Sequence, residues 1–482
     1  MSGGGGRMHT RQWVKKWGSG VAALALLAGC PGSGANEEAD MPRPLRAQTV
    51  SGTGWTRQEG GPGPEQLHAL AADGRGGFVA AGLFGEAPFP NGTGLALSRH
   101  AADGSPVWTR QVTTTEDVRA LAIEVMPRGD ILVVGHYADN PDLGTGPLTP
   151  VPNSGSGLFL ARFSPTGKTL WSHGFIAIHE LPGGGHWYGS VIPTAMTADA
   201  HGRLLVVGHF YGTVDFGGGP LFAGEASLSD DESSPGGFAV CFSAEGQHLW
   251  SRAFEALPSK TWARVRTVTV DAMGHLLVGG RVSQGTDLGD GPVESSGAFI
   301  ARYHGNSGAL LWKRLFPGTS GEVIALEGLS TTDVAFNAHL GGPFTFGGQL
   351  HAEGTTSAPH GYTGSLRLTG TDRWIRTLGH VTLGGLVEGR GGARILTGQG
   401  VDGTSAWGDT RFVARYSETG TPQSSHVFAR SAEGILPPAF LLAPQSGNTV
   451  VAGMTLGAPV QHEGTVYTPQ GASDLLFFPL RP

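Results

Sequence analysis

Within one short stretch the sequence sets His179, Glu180, His186, Trp187 and Tyr188 around the insert Leu181, Pro182 and Gly183 to Gly185. Imidazoles and a carboxylate are metal-ligand types, and two aromatics beside them can stack on a planar or sugar ligand. Glycines give such a loop freedom to gather these groups at one face of the protein. These five residues form the candidate ligand-binding set, with the metal, if any, left open. The competing reading is a polar surface loop whose aromatic patch folds back on the rim. A second insert, Ser229 to Ser234 with Asp230, Asp231 and Glu232, has the oxygen donors of a weak Ca²⁺ site, against a plain solvated acidic loop.

Catalytic motifs are missing. Gly167, Lys168 and Thr169 imitate the end of a phosphate-binding loop, but Arg162 stands where the first glycine belongs and the context is a hairpin. The sequence contains no Gly-x-Ser-x-Gly elbow, no His-Glu-x-x-His and no metal-spaced cysteine pair. The expectation is a non-enzyme with no catalytic residues and no cofactor.

The elements that must position the candidate loop come in repeats. Copies run from an aromatic-ended strand through a glycine turn to a tryptophan: Phe159 to Phe163, Gly167, Trp171; Phe299 to Tyr303, Gly308, Trp312. Each unit also has a small-residue strand such as Val265 to Val270. A turn with Asp271 and Gly274 follows, then an apolar strand such as Leu276 to Gly279. Asp can bond its own backbone in such a turn, and Gly supplies the positive φ. Four short antiparallel strands per unit, the inner ones small and apolar, predict a β-propeller blade. Glycine (81) and proline (31) then read as turn punctuation.

Full units fall near 65–112, 118–175, 192–254, 265–316, 323–378 and 381–429. The last, 434–482, lacks a fourth strand. Trp55 to Gln58 repeats Trp108 to Gln111 residue for residue, so the N-terminal strand is expected to complete the last blade and close a seven-bladed ring. The repeated tryptophans (Trp55, Trp108, Trp171, Trp250, Trp312, Trp374) are expected between blades, with carbohydrate stacking as the alternative; the arginines (Arg162, Arg302, Arg415) are expected between blades or at the rim, with an anion-binding ring as the alternative. Unit six reads His426 at the tryptophan position. Glu124 and Glu327 stand isolated at the ends of inner strands, which speaks against redox chemistry.

At the N-terminus, Arg7, Arg11, Lys15 and Lys16 precede the apolar run Gly18 to Ala28. The run is too short to span a bilayer as a helix. Leu27, Ala28, Gly29 and Cys30 resemble the bacterial lipoprotein signal motif. That resemblance implies a signal peptide over 1–29, cleavage before Cys30 and acylation of its thiol. A flexible tether over 30–52 and a propeller over 53–482 would follow, the whole held at the outer membrane. Cys241, the other cysteine, then has no disulfide partner and reads as a buried apolar residue. A net charge of −7 without a basic run excludes a nucleic-acid surface.

The stretch Ser164 to Trp171 resembles the tryptophan-docking repeat of pyrroloquinoline-quinone-type propellers and of the outer-membrane assembly lipoprotein that shares their fold. The longer unit, Thr213 to Gly219, then Gly237 to Val240, then Gly246 to Trp250, is similar to the SBBP-type seven-bladed repeats of bacterial secreted proteins. The quinone-dependent branch would bring a channel Ca²⁺ set and a catalytic Asp, which the inner strands do not offer. The resemblance specifies the fold more than the function; the expectation is a monomeric, non-catalytic envelope lipoprotein that binds protein partners. A glycan or small-ligand binder at the ring mouth is the alternative, and a quinone- or metal-dependent enzyme a third.

Overall fold

The computed structural model describes residues 55–480 apart from 62–63, 84–93, 113–117, 152–154, 181–185, 224–234, 255–260, 329–332, 401–409, 429–440, 445–449 and 463. Cys30, the leader, the tether and the acidic insert at 229–234 lie outside the described residues.

Seven four-stranded antiparallel sheets, each a propeller blade, follow one another along the described chain. Blade four shows the plan: Ala263–Val270 is innermost, then Leu276–Val282, Gly297–Tyr303 and Leu310–Pro317. The middle strands are apolar because both faces of the sheet are covered. Leu276 to Gly280 and Gly297 to Tyr303 are buried throughout. In six blades the innermost strand carries a register shift, as between Val265 and Thr267, which bends the strand toward the ring axis.

The ring closes. Innermost strands touch in cyclic order, and the last, Leu441–Pro444, meets the first, Gln66–Ala72. Arg57–Glu59 supplies the outer strand of blade seven, setting Arg57 opposite Phe477, Gln58 opposite Leu476 and Glu59 opposite Leu475. Gln58 Nε2 fixes this seam by donating to Thr468 O at 2.7 Å and Asp474 Oδ2 at 2.5 Å.

Strand order gives each blade two unlike edges. The first-to-second and third-to-fourth strand turns lie at one face, here the turn face. The second-to-third connections and the links between blades lie at the other, the loop face. At the turn face each tryptophan reaches the next blade. The indole Nε1 of Trp55, Trp108, Trp250, Trp312 and Trp374 donates to Ala102, Pro165, Gly305, Leu368 and Glu418 carbonyls at 2.7–3.1 Å. The indole lies on the turn glycine. Gly308 (φ 64°) and Gly370 (φ 85°) need positive φ, and a Cβ there would come within 2.7 Å of Trp250 and 2.8 Å of Trp312.

A second clamp joins the same turns. Arg302 pairs with Asp271 of its own blade at 2.7 Å and donates to Leu368 O of the next at 3.1 Å. Arg99 with Asp73 and Pro165 O, and Arg162 with Asp130 and Ala244 O, repeat it. Arg415 departs from the pattern and holds Gln423 instead.

The tryptophan position of blade six is Ser424, which lies opposite Arg415 as Trp312 lies opposite Arg302; His426 is two residues further on, opposite Val413. The reading of His426 as the tryptophan equivalent is thereby corrected. The spacing from the turn glycine gives the reason: Trp312 follows Gly308 by the same interval as Ser424 follows Gly420. Blade seven has no turn between its third and fourth strands, since these come from Asp474–Leu480 and Arg57–Glu59, so a tryptophan in blade six would find no turn to dock on.

Candidate functional site

The expected flexible loop is a β-hairpin. Ala177–Glu180 pairs with His186–Tyr188 and, on its other side, with Thr213–Asp215, which pairs with Pro220–Phe222. This extra sheet stands on the loop face between blades two and three. Its register sets position 179 opposite 187, 180 opposite 186, and 178 opposite 188. Side chains alternate across a strand pair, so positions 179 and 187 belong to one face and 180, 186 and 188 to the other. The set is therefore divided between two surfaces. His186 and Tyr188 do meet, edge to face with ring centroids 5.3 Å apart. Among the described residues no group of three or more His, Cys, Asp or Glu is placed to hold a metal ion.

The two ends of the ring axis carry groups that sequence reading separated. At the turn face, Glu124 and Glu327 close the inner strands of blades two and five, which stand nearly opposite each other across the ring. They are not isolated. Burial raises Glu327 to about 8, helped by the nearby charges of Glu388 and Glu124, while its carboxylate accepts the Glu388 backbone N–H. Burial alone lifts Glu124 to about 7. Both side chains keep slight exposure inside the channel yet are enclosed by protein, which is why their charged forms are costly. This end can hold a proton at neutral pH. A signal for it existed: Glu124 and Glu327 occupy the same position after the inner-strand shift, opposite Leu132 and Ala335.

At the loop-face end the sign reverses. One register position, just after the glycine or alanine of the second strand, reads Arg119 with His136, Ile192 with His209, Arg264 with Arg281, and Glu322 with His339 in blades two to five. Burial, and then Arg264 and Arg266, hold the His209 imidazole down at about 4, so it is neutral. Burial and Arg266 do the same to His339, whose Nε2 accepts the Leu383 N–H at 2.8 Å. Arg266 is bound by Glu322 at 3.0 Å. The recurring Gly135-His136, Gly208-His209 and Gly280-Arg281 pairs marked this ring in the sequence, and aligning the units would have found it. Cys241 is fully buried and its thiol is pushed up to about 12, as an apolar core residue requires.

No protein-family profile matches the sequence, and no curated protein does. Among solved structures the chain is similar to the Dos1 propeller, at 9% identity and a TM-score of 0.42 over 88% of this chain and 93% of that one. It is similar to BamB from Moraxella catarrhalis at 10% identity and 0.33, over 80% and 91%. Quinohemoprotein alcohol dehydrogenase from Comamonas testosteroni gives 12% and 0.39, over 88% and 76%. The chain is a β-propeller by its own strand connectivity, and these likenesses carry nothing on activity.

Proposed function

We propose that this chain is a non-catalytic envelope lipoprotein, anchored through acylated Cys30, whose ring is a rigid scaffold for protein partners that dock on the loop face. One observation supports the reading. Three second-to-third-strand connections are built as short hairpins, and each holds an apolar side chain out to solvent: Phe222 (57% exposed), Leu350 (70%) and Val466 (60%). Apolar groups fixed on rigid hairpins at one face are what a protein partner buries. The turn face carries the docking tryptophans and arginine clamps, and Met273 (66% exposed) stands out among them on a turn, not on a hairpin.

The full chain, expressed with its leader in a Gram-negative host and cross-linked in membranes, should recover stoichiometric partners. A variant combining Phe222→Asp, Leu350→Asp and Val466→Asp should lose them while keeping its melting temperature. Recovery of none by the unaltered chain would overturn the scaffold reading. Palmitate labelling lost in Cys30→Ala tests the anchor separately. Glycan binding is the second reading, favoured by the His186 and Tyr188 contact on a sheet-edge strand. A glycan array comparing the unaltered chain with Trp187→Ala and Tyr188→Ala separates it from the first.

A further inference from the structure

Blade four sets two like charges face to face. Arg264 and Arg281 lie directly opposite each other on adjacent antiparallel strands. Directly opposed like charges destabilise a strand pair. Among the described residues neither guanidinium has a carboxylate partner. Elsewhere Arg99, Arg162, Arg203, Arg302, Arg314 and Arg373 all pair with an aspartate. What the two arginines share is an aromatic support: both stack on Trp262, with Cζ 5.6 Å and 5.2 Å from its ring. Trp262 is itself pinned. Its backbone N–H donates to Ser283 Oγ at 2.7 Å, and its backbone carbonyl accepts from Thr286 Oγ1 at 3.2 Å.

Stacking holds a guanidinium by its face and leaves its N–H edge for another acceptor. Nε of Arg281 is buried without an acceptor, and Nδ1 of His209 is buried without a partner. A buried donor left unmade is costly, which points to an acceptor that the described residues do not supply. Arg266, beside this pair on the same strand, brings a third positive charge, offset only by Glu322.

We propose that Arg264 and Arg281, stacked on Trp262 and backed by Arg266 and His209, bind a small oxyanion, a carboxylate or a phosphate, at the loop-face end of the ring. The guanidinium forks supply paired N–H donors suited to either group. Arg264 is exposed and Arg281 and Trp262 are partly buried, so the forks are open to a ligand from solvent, and one aromatic support fits a small molecule. The site stands independently of the scaffold reading.

Titration calorimetry of the purified chain at low ionic strength, with inorganic phosphate in one arm and citrate in the other, tests it. One-to-one binding of phosphate alone assigns phosphate esters; of citrate alone, carboxylates; of both, the shared oxyanion chemistry. Arg264→Gln and Arg281→Gln should each weaken binding about tenfold or more, as loss of a charged hydrogen-bonding partner does. Glu322→Gln should tighten it by freeing Arg266. Because the arginines repel each other, Arg264→Gln should melt no lower than the unaltered chain without ligand. The proposal is overturned by absence of heat in both arms, by binding that equal ionic strength of chloride abolishes, or by affinities that both arginine variants leave unchanged. A marked fall in melting temperature for Arg264→Gln would make the pair structural and overturn it too.

Discussion

The two faces of the ring treat charge in opposite ways. At the turn face Asp73, Asp130, Asp199, Asp271 and Asp333 each hold an arginine that also reaches the neighbouring blade. At the loop face Arg264 and Arg281 face each other with no acid between them. The axis repeats the contrast, with Glu124, Glu327 and Glu388 at one end and arginines and histidines at the other. Matched charges recur from blade to blade because every blade must grip the next. Two arginines set face to face occur once among the described strand pairs, and a feature present in one blade out of seven is not needed to close the ring.

Breaking the match is the largest expected effect. Asp271→Ala removes the partner of Arg302, whose side chain is only 10% exposed, and also the acceptor for the Met273 and His275 N–H groups. Stranding a buried charge costs about 3–5 kcal/mol. Urea unfolding should show a loss of that size; a loss below about 1 kcal/mol would mean that the clamp is incidental.

Next comes the acidic end of the axis. Glu327 binds its proton up to about 8 in the folded chain, against an ordinary value of 4.5. Between those limits the folded state holds more protons than the unfolded state, so this residue makes stability fall as pH rises from about 4.5 to 8. Glu327→Gln carries no proton to lose. It should flatten that fall and melt higher than the unaltered chain at pH 8, by the equivalent of a few kcal/mol at most. At pH 4.5 the two should melt together. Equal melting temperatures at both pH values would show that the carboxyl is ionised without penalty.

Most of the turn face was legible in the sequence, and little of the loop face was. Trp312 and Gly308 advertise their contact because repeated partners repeat their spacing, and Trp55 betrayed the closure by copying Trp108. Blade six was misread at His426 because that imidazole drew attention from Ser424, which holds the right interval from Gly420. Glu124 and Glu327 seemed isolated because they lie far apart in sequence, and only the ring brings them across one axis. The candidate segment, expected as a loop, is paired strand for another reason. Its strand character comes from pairing with Thr213–Asp215, a partner that no local pattern announces. Arg264 and Arg281 become neighbours through strand register, which the inner-strand shift conceals.

A smaller effect sharpens the docking contrast within the turn face. Trp312 Nε1 donates to Leu368 O at 2.7 Å, whereas Trp171 Nε1 is buried without a partner. Phenylalanine keeps the ring and removes the donor. Trp312→Phe should therefore lose about 1 kcal/mol more than Trp171→Phe, the net worth of one hydrogen bond. Chemical denaturation of the two variants measures the difference, and equal losses would assign the docking to ring burial alone.

The smallest effect returns to ion pairs. Lys313 Nζ and Asp290 Oδ1 lie 2.5 Å apart on the loop side of blade four, closer than Arg302 and Asp271 at 2.7 Å, but Asp290 is 52% exposed. Water already solvates both charges, so their contact replaces interactions of nearly equal worth and salt screens the remainder. Asp290→Ala should change stability by less than about 1 kcal/mol, while Asp271→Ala in the same blade costs several times more. Distance alone would rank the exposed pair first. If urea unfolding finds them equal, burial is not what separates the two faces, and the contrast between them fails.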